Sequence, residues 1–359
     1  MTMPDLYPLH GGQLRQVAER FGIPARDLLD FSANINPSGP PPAVLKTLRA
    51  SLDDLSTLTE YPDLEQAELK QAIAQYTKTH EENIIAANGF VPILEAVLRV
   101  LRIRTCLLPV PCFVEYRRTL ERSGVQTIPV TLSADTDFHY DSAELIADHV
   151  DAILLANPQN PSGICHDAAL LRDLVAHAST TNTYVLLDEA FIDYVPEHSL
   201  ATMTDEFSNL IVFRSVTKFH GIPGLRVAYA LANPILAASI TEHLPPWPIT
   251  TLASHAVIAA LGDQAYATRS LHDNTANRTT LASSLRTLGL AVYPSAANFL
   301  LFRLPASVDS KAFWQRMIVD HRIVLRSCAN YEGLSAGHFR TAVRTPEENE
   351  RLVNSLAMT

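Results

Sequence analysis

The stretch AILLANPQNPSG (152–163), with YVLLDEAFIDY (184–194) after an intervening helical segment, is the strongest indication of the fold class. The apolar run Ala152–Ala156 is a predicted buried strand, Ala168–Ser179 a predicted amphipathic helix, and Tyr184–Asp188 a second predicted strand. Apolar strands that alternate with helices are typical of a mostly parallel sheet covered on both faces. This stretch therefore predicts an α/β protein.

The same alternation continues on both sides of this stretch. Ile93–Arg102 is another predicted helix, and a proline-rich break, PSGPPP (37–42), precedes the first strand. We therefore expect a large three-layer α/β domain at residues 40–250. Its further predicted strands are Asn83–Ala87, Thr105–Pro109, Gln126–Val130, Leu210–Ser215 and Val227–Ala232.

The sequence changes in character after PPWP (245–248). From there it predicts a small α+β domain at residues 251–359, completed by an N-terminal arm at residues 1–39. The predicted elements are a long Ala-rich helical segment, Leu252–Leu288, the strands Ala291–Tyr293, Asn298–Arg303, Ile323–Arg326 and His338–Val343, a helix near Ser310–Asp320 and a final helix.

Composition and charge exclude several function classes. The formal net charge is -10 and the chain has no Lys/Arg run, which argues against a nucleic-acid partner and against an anionic membrane surface. The four cysteines form no Cys-x-x-Cys pair, so neither a metal site nor a disulfide scaffold is predicted. The N-terminal sequence lacks a signal-peptide pattern, and no apolar run approaches the roughly 20 residues that span a bilayer. We therefore expect a cytoplasmic protein.

Polar clusters directly follow three of the predicted strands. Asn157–Gly163 follows one strand, Asp188 ends the next, and Ser215–Lys218 follows a third. Ligands of open parallel sheets bind beyond the carboxyl ends of the strands. The three clusters are therefore expected to form one site.

The residue types in these clusters indicate a cofactor site. Lys218, just past a buried strand, is expected to have a lowered pKa, which favours Schiff-base formation. Ser215 and Arg226 can hold a phosphate, and Asp188 needs a cationic partner such as a protonated pyridine nitrogen. The rigid turn can aim Asn160 at a ring substituent. Each signal alone has a plain alternative, namely a surface lysine, a metal-binding or structural Asp–Glu pair, or a surface turn, but their common position favours the cofactor.

The order and spacing of these motifs resemble the fold-type-I, aspartate-aminotransferase-like enzymes, which use pyridoxal 5′-phosphate (PLP). The resemblance covers nearly the whole chain, and it implies that Lys218 is the catalytic residue and binds PLP covalently. The implied cofactor contacts are Asp188 at the pyridine nitrogen, Asn160 at the ring hydroxyl, Ser215 and Arg226 at the phosphate, Phe113 stacked on the ring, and the loop residues Gly89, Phe90 and Val91.

The resemblance has two further implications. Tyr61, in EYPD, would reach the phosphate of the neighbouring subunit's cofactor, which implies a homodimer with shared active sites. The phosphate loop at residues 88–92 lacks the side-chain hydroxyl that the family usually supplies. Backbone N–H groups at a helix start can still bind an anion, so we expect weaker PLP retention rather than none.

Other motifs resemble particular branches of this superfamily. EYPD (60–63) and SAANFLLFR (295–303) are similar to the histidinol-phosphate aminotransferases. HGG (10–12), DFSANINPSG (30–39) and IVLRSCANYEGL (323–334) are similar to the threonine-phosphate decarboxylases of cobalamin biosynthesis, which are the closer match. HGG and RSCANYEGL discriminate best between the two branches.

Arginines near the C-terminal end of the sequence predict an anionic substrate. An O-phosphorylated amino acid carries up to three negative charges, which two or three guanidinium groups can bind bidentately. The alternative is a surface ion pair with the acidic helix start at residues 347–350, expected above all for Arg344. The resemblance implies a substrate-phosphate position for Arg326 and a carboxylate position for Arg340. The predicted substrate contacts are His10 and Asn34 from the arm, with Arg326, Arg340 and Arg344.

The resemblance implies decarboxylation of L-threonine O-3-phosphate to (R)-1-amino-2-propanol O-2-phosphate for the cobalamin nucleotide loop. One alternative is a histidinol-phosphate-type aminotransferase. Another is a phosphoserine decarboxylase that gives ethanolamine phosphate; its substrate lacks one methyl group, which a pocket discriminates by only about 1–3 kcal/mol. A third is a non-catalytic PLP-fold module, such as the effector domain of a transcription regulator.

Overall fold

The computed structural model of the chain describes residues 7–140, residue 145 and residues 150–358. Its strands are β1 (Leu29–Asp30), β2 (Ile84–Ala87), β3 (Thr105–Val110), β4 (Gln126–Thr131), β5 (Ala152–Ala156), β6 (Tyr184–Asp188), β7 (Leu210–Ser215), β8 (Ala228–Leu231), β9 (Ala291–Val292), β10 (Phe299–Arg303), β11 (Ile323–Val324), β12 (Arg326–Ser327) and β13 (His338–Ala342).

The helices in the described residues include several of three turns or more and two very short ones. They are α1 (Leu14–Phe21), α2 (Pro42–Asp53), α3 (Ser56–Thr59), α4 (Ala67–Thr77), α5 (Phe90–Val100), α6 (Val114–Arg122), α7 (Ala168–Thr180), α8 (Val216–Phe219), α9 (Pro234–Thr241), α10 (Thr251–Leu261), α11 (Gln264–Thr287), α12 (Ser310–Val319) and α13 (Pro346–Ala357). None of these helices combines the length and the hydrophobicity that a membrane crossing requires.

A seven-stranded sheet lies at the centre of the fold, in the order β2-β8-β7-β6-β5-β3-β4. Neighbouring strands from β7 to β4 run parallel, whereas β8 is antiparallel to both β2 and β7. The predicted mostly parallel sheet is therefore confirmed. Strands β5, β6 and β7 also have the predicted bounds, because a continuous buried apolar run marks each of them.

Helices cover both faces of this sheet, which makes the three layers. Within β5, Ile153 and Leu155 pack into one hydrophobic core, and Leu154 with its alternate neighbours packs into another. Successive side chains of a strand point to opposite faces, so these two cores lie on the two sides of the sheet. Burial on both faces explains why the strands are apolar throughout rather than alternating with polar residues.

The C-terminal part of the chain contains a four-stranded antiparallel sheet, in the order β12-β13-β10-β9. The N-terminal arm is attached to this part, because β1 pairs in parallel with β11 and Phe31 donates a backbone hydrogen bond to the Val324 carbonyl at 2.9 Å. The proposed domain boundaries at 40 and 250 stay predictions. The described residues exclude parts of all three predicted segments: residues 1–6 of the arm, residues 141–144 and 146–149 of the large domain, and residue 359 of the small domain.

Three predicted elements differ from the structure by more than one residue at an end. The predicted helical segment Leu252–Leu288 is two helices, α10 and α11, because the Asp263 side chain caps a new helix by accepting from the Tyr266 N–H at 2.9 Å. The predicted strand Ile323–Arg326 is two short strands that pair with different partners, β1 and β13. Helix α5 begins at Phe90, earlier than predicted, since proline is compatible with the first turn of a helix.

Candidate active site

The carboxyl ends of the parallel strands form the floor of two adjoining cavities. The first, called the inner cavity, has a volume of about 100 Å³ and is lined by Asp188, Ser215 and Phe90. The second, called the outer cavity, has a volume of about 540 Å³ and lies between the arm and the C-terminal part. The two share the lining residues Phe113, Asn160, Phe191 and Lys218.

Lys218 lies on α8, directly after β7. The Ser215 side chain caps this short helix by accepting from the Thr217 N–H, and the Lys218 Nζ donates to Thr217 Oγ1 at 2.9 Å. Burial lowers the pKa of Lys218 to about 8; Asp188 opposes this shift, and the cations Arg226 and Arg340 add to it. About a tenth of the amine is therefore uncharged at pH 7, far more than for an ordinary lysine, and the uncharged amine is the form that acts as a nucleophile.

Asp188 ends β6 and is buried beneath the inner cavity. Its Oδ2 accepts from the Tyr116 hydroxyl at 2.5 Å, and its Oδ1 accepts from the Ala190 N–H at 2.8 Å. Burial raises the pKa of Asp188, and the two hydrogen bonds and the charge of Lys218 oppose this rise. A carboxylate in this position needs a cationic partner, and a protonated pyridine nitrogen satisfies that need.

Two features that favour an anion meet where α5 begins. Gly89 has φ +94°, and a Cβ atom on this residue would lie 3.2 Å from Nη2 of Arg226. The guanidinium therefore lies close to the free N–H groups of the first turn of α5, and both favour an anion. Together with the buried carboxylate of Asp188 and the lowered pKa of Lys218, this corner gives the residues a good fit to PLP.

Phe113 and Asn160 occupy the positions between the two cavities. Phe113 precedes α6, and its ring contacts the edge of Tyr116 with 5.5 Å between centroids. Asn160 Oδ1 accepts from Nη1 of Arg340 at 2.5 Å. Both side chains are therefore available to a ring bound near Lys218, although their roles toward it stay predictions.

Two arginines bring positive charge to the outer cavity. Arg326 and Arg340 are only 3% and 5% exposed. Arg326 Nη2 donates to the Leu9 carbonyl at 2.8 Å and to Asn330 Oδ1 at 2.9 Å, and Arg340 Nη2 donates to the Ser32 carbonyl at 3.0 Å. Within the described ranges neither guanidinium is in an ion pair with a carboxylate. Because an unpaired buried charge is costly, an anionic ligand would stabilise both guanidinium groups.

The arm covers the outer cavity through its HGG motif. A Cβ atom on Gly11 would lie 2.0 Å from the Ser32 carbonyl oxygen, so only glycine allows this close approach. The Gly12 N–H donates to Ser32 Oγ at 2.9 Å, and His10 Nε2 lies 3.0 Å from Glu115 Oε1. Asn34 is buried at the same cavity, and its Oδ1 has no hydrogen-bond partner among the described residues.

Arg344 does not join the other predicted substrate contacts, which corrects that prediction. Its Nε and Nη2 donate to the two carboxylate oxygens of Glu348, each at 2.9 Å, and Nη1 donates to the Asp30 carbonyl at 3.1 Å. It lines a different cavity, beside α11. The residue lies at the N-terminal end of α13, where the nearest carboxylate satisfies its charge, as the alternative interpretation anticipated.

Tyr61 lies outside both cavities. It is 80% exposed and stacks on Trp247 with 4.7 Å between the ring centroids. Its predicted contact with a neighbouring subunit's cofactor stays a prediction.

Several residues that contact the predicted ones were not themselves predicted. Tyr116 lies one helical turn after Phe113, so the pair could have been recognised from its i, i+3 spacing. Thr217 stands beside Lys218 in SVTK, which is also a local signal. No local pattern indicates that Asn330 holds Arg326, because the arm completes that arrangement from the other end of the chain.

Comparisons with known proteins agree with this geometry. The aminotransferase class I and II family matches residues 26–356. The threonine-phosphate decarboxylase of Salmonella typhimurium is 35% identical over 97% of this chain and 95% of its own length. An adenosylcobalamin biosynthesis bifunctional protein of Leptospira interrogans is 29% identical over 98% of this chain, which spans 41% of that longer protein. The crystal structure of the histidinol-phosphate aminotransferase from Clostridium acetobutylicum superimposes with a TM-score of 0.86 at 28% identity, covering 92% of this chain and 98% of that one.

The family match extends over almost the whole chain and includes every predicted cofactor contact. The structural match covers 92% of this chain, so fold and sequence agree on the same superfamily. The chain belongs to the aminotransferase class I and II family, and it is a PLP-dependent enzyme with the type-I fold.

Proposed function

We propose that this enzyme decarboxylates L-threonine O-3-phosphate to (R)-1-amino-2-propanol O-2-phosphate, for the nucleotide loop of cobalamin. The observation that carries the proposal is the pair of buried arginines, Arg326 and Arg340, that line the same cavity as Lys218 without a carboxylate partner in the described residues. A substrate with a phosphate and a carboxylate supplies the missing anions. The names of the Salmonella and Leptospira relatives support this choice of substrate and pathway.

Several residues of the chain would bind the cofactor. When bound, PLP supplies an electron sink for the electron pair that a broken bond leaves at the substrate Cα. Asp188 would accept a hydrogen bond from the ring nitrogen and keep that nitrogen protonated, while Arg226, Ser215 and the start of α5 would hold the phosphate. Lys218 would hold the cofactor through its side-chain amine, and the same amine would carry the proton that replaces the carboxylate at the substrate Cα.

The arginines of the outer cavity would select the bond that breaks. We propose that Arg326 binds the substrate phosphate and that Arg340 binds its carboxylate, with His10 and Asn34 closing the cavity from the arm. Binding both the phosphate and the carboxylate would fix the rotation of the substrate about the bond between its nitrogen and Cα. The spacing of the two arginines would therefore decide which Cα bond faces the cofactor, and so would decide between decarboxylation and transamination.

The test is to measure carbon dioxide release when the protein is loaded with PLP and given phosphothreonine or phosphoserine. We expect release from phosphothreonine that the Lys218→Ala variant does not support, because that variant cannot link to the cofactor. A preference for phosphoserine would change the substrate but not the reaction. No release from either, together with amino transfer from histidinol phosphate to 2-oxoglutarate, would reject the proposal in favour of the aminotransferase.

We also propose a homodimer with shared active sites. The support is that Tyr61 presents its aromatic ring to solvent at 80% exposure, beside Trp247, which is itself 43% exposed. Large exposed aromatic side chains are enriched in protein interfaces. A neighbouring subunit would bury this pair and bring Tyr61 to a second active site.

A further inference from the structure

Tyr116 has no part in the assignments above, yet it contacts three of the proposed cofactor residues. Its ring lies 5.6 Å from that of Phe90 and 5.5 Å from that of Phe113, both measured between centroids. Its hydroxyl donates to Asp188 Oδ2 at 2.5 Å. The side chain is only 1% exposed, so water does not compete for this hydrogen bond.

The hydrogen bond fixes both the charge and the direction of the Asp188 carboxylate. The Ala190 N–H donates to the other oxygen, Oδ1, at 2.8 Å, so each oxygen has one donor from the protein. Hydrogen bonds to a carboxylate stabilise its ionised form. Because each oxygen of Asp188 has its own donor, the plane of the carboxylate is held in one orientation. Each oxygen keeps free lone pairs for one further donor.

We infer that Tyr116 is a positioning residue that holds Asp188 ionised and directed at the cofactor's ring nitrogen. The inference rests on the proposed role of Asp188. Without the hydroxyl, Asp188 becomes more basic and the proton that it shares with the ring moves toward the carboxylate. The ring then carries less positive charge and is a weaker electron sink, although Tyr116 itself touches no reacting atom.

The experiment compares Tyr116→Phe with the wild-type protein, each loaded with PLP. The visible absorption band of the bound cofactor is titrated with acid and base, and the ring nitrogen is observed by NMR with ¹⁵N-labelled PLP. The titration midpoint is the pH at which half of the nitrogen that joins Lys218 to PLP is protonated. We expect it to rise by about one pH unit, because a less cationic ring repels the proton on this nitrogen less. We expect the ¹⁵N resonance to move toward that of an unprotonated ring. With phosphothreonine, kcat should fall about tenfold while KM changes little.

Tyr140→Phe is the matched control. Tyr140 is also a buried tyrosine at this edge of the sheet, but its hydroxyl donates to the Ala156 carbonyl at 2.7 Å and not to Asp188. We expect its spectra to match the wild type. A second test places Tyr116→Phe in an Asp188→Asn background, where it should add no further spectral change, since an amide cannot be held as an anion.

The inference is overturned if Tyr116→Phe binds PLP with the absorbance titration and ¹⁵N resonance of the wild type. It is also overturned if the Tyr140→Phe variant shows equal shifts, because a general loosening of the core would then explain both. These readouts need no substrate. A wild-type protein that releases no carbon dioxide would reject the proposed reaction and leave this inference standing.

Discussion

Lys218 lies among groups that oppose its protonation. Burial and the two arginines, Arg226 and Arg340, lower its pKa to about 8, although the negative charge of Asp188 acts to raise it. At pH 8 about half of the amine is then uncharged, compared with about 0.4% for an ordinary lysine. A base with a lowered pKa gains its reactive form as pH rises, so the reactive fraction of Lys218 passes one half near pH 8 and levels off by about pH 10.

This pKa predicts how the protein without cofactor captures PLP. The rate of appearance of the visible band should rise with pH, with a midpoint near pH 8, and reach a plateau by about two pH units above it. Lys218→Arg, which keeps the charge but cannot form the link, should give no such band. A rate that keeps rising beyond pH 10 would mean that Lys218 behaves as a solvent-exposed lysine.

The two buried arginines predict a difference between substrates. Arg326→Gln should lower kcat/KM for phosphothreonine about 100-fold, because the substrate phosphate loses a buried charge-assisted partner. It should leave the much slower reaction of unphosphorylated L-threonine nearly unchanged. Arg340→Gln should impair both substrates, since both have a carboxylate.

Arg344→Gln is the control for this comparison. Its charge is already bound by Glu348, and it lines the cavity beside α11. We expect kcat/KM for both substrates within about twofold of the wild type. Equal losses for both substrates in Arg326→Gln would contradict the assignment of the phosphate to Arg326.

At the residue scale, the sequence located the side chains that follow strands and missed those held by distant contacts. Asp188 and Lys218 were predictable because the ends of parallel strands meet at one edge of the sheet. Tyr116 reaches Asp188 across 72 positions of the chain. For Arg344 the sequence offered two interpretations, a substrate contact or an ion pair with the acidic helix start, and the fold favours the second by placing Glu348 2.9 Å from the guanidinium.

At the element scale, the arm is the segment that closes the outer cavity. Its backbone carbonyls at Pro8 and Leu9 accept from Arg326, and its HGG motif lies against Ser32. The arm and the buried guanidinium therefore position each other. A small displacement of the arm should disturb substrate binding without disturbing the inner cavity.

Gly11→Ala tests this coupling. The added methyl group would meet the Ser32 carbonyl at 2.0 Å, so the arm must shift. We expect kcat/KM for phosphothreonine to fall about 100-fold, the effect of displacing a positioning group by about 1 Å, with PLP affinity unchanged. Gly262→Ala is the control, since its nearest contact would be an ordinary 3.5 Å. Weaker PLP binding in Gly11→Ala, or unchanged kinetics, would contradict the coupling.

The bounds of a helix or strand were predictable where a single local sequence pattern, such as an apolar run, determines them. Strands β5 to β7 are continuous apolar runs, and the sheet has the predicted character. The division between α10 and α11 depends on one capping aspartate, Asp263, within a segment that is helical in composition on both sides. The separation of β11 from β12 depends on which partner each strand finds, and periodicity carries no information about partners.

At the scale of the whole molecule, the sign of the total charge and that of the site differ. The chain has a formal net charge of -10, yet Arg226, Arg326, Arg340 and Lys218 line one cavity. Cavities with low-dielectric walls concentrate the field of the charges that line them. An anionic substrate is therefore attracted to this cavity even though the surface as a whole repels it.

The proposed homodimer predicts that two inactive variants restore activity when mixed. Lys218→Ala removes the covalent link, and Tyr61→Ala removes the proposed contact with the partner's cofactor; neither should support more than a few per cent of wild-type activity. Tyr61 is exposed in the single chain, so its loss should not harm folding. Dissociation and reassociation of an equal mixture makes about half of the dimers hybrid, and each hybrid has one site with both residues intact.

The mixture should therefore recover about one quarter of the wild-type activity per subunit. The matched control mixes Lys218→Ala with Arg340→Gln. Both of these residues line one cavity of a single chain, so every site of that hybrid lacks one of them and no activity should return. No recovery in the first mixture, or sedimentation equilibrium that gives the mass of one chain, would mean that each subunit builds its site alone, and Tyr61 would then be a surface residue packed on Trp247.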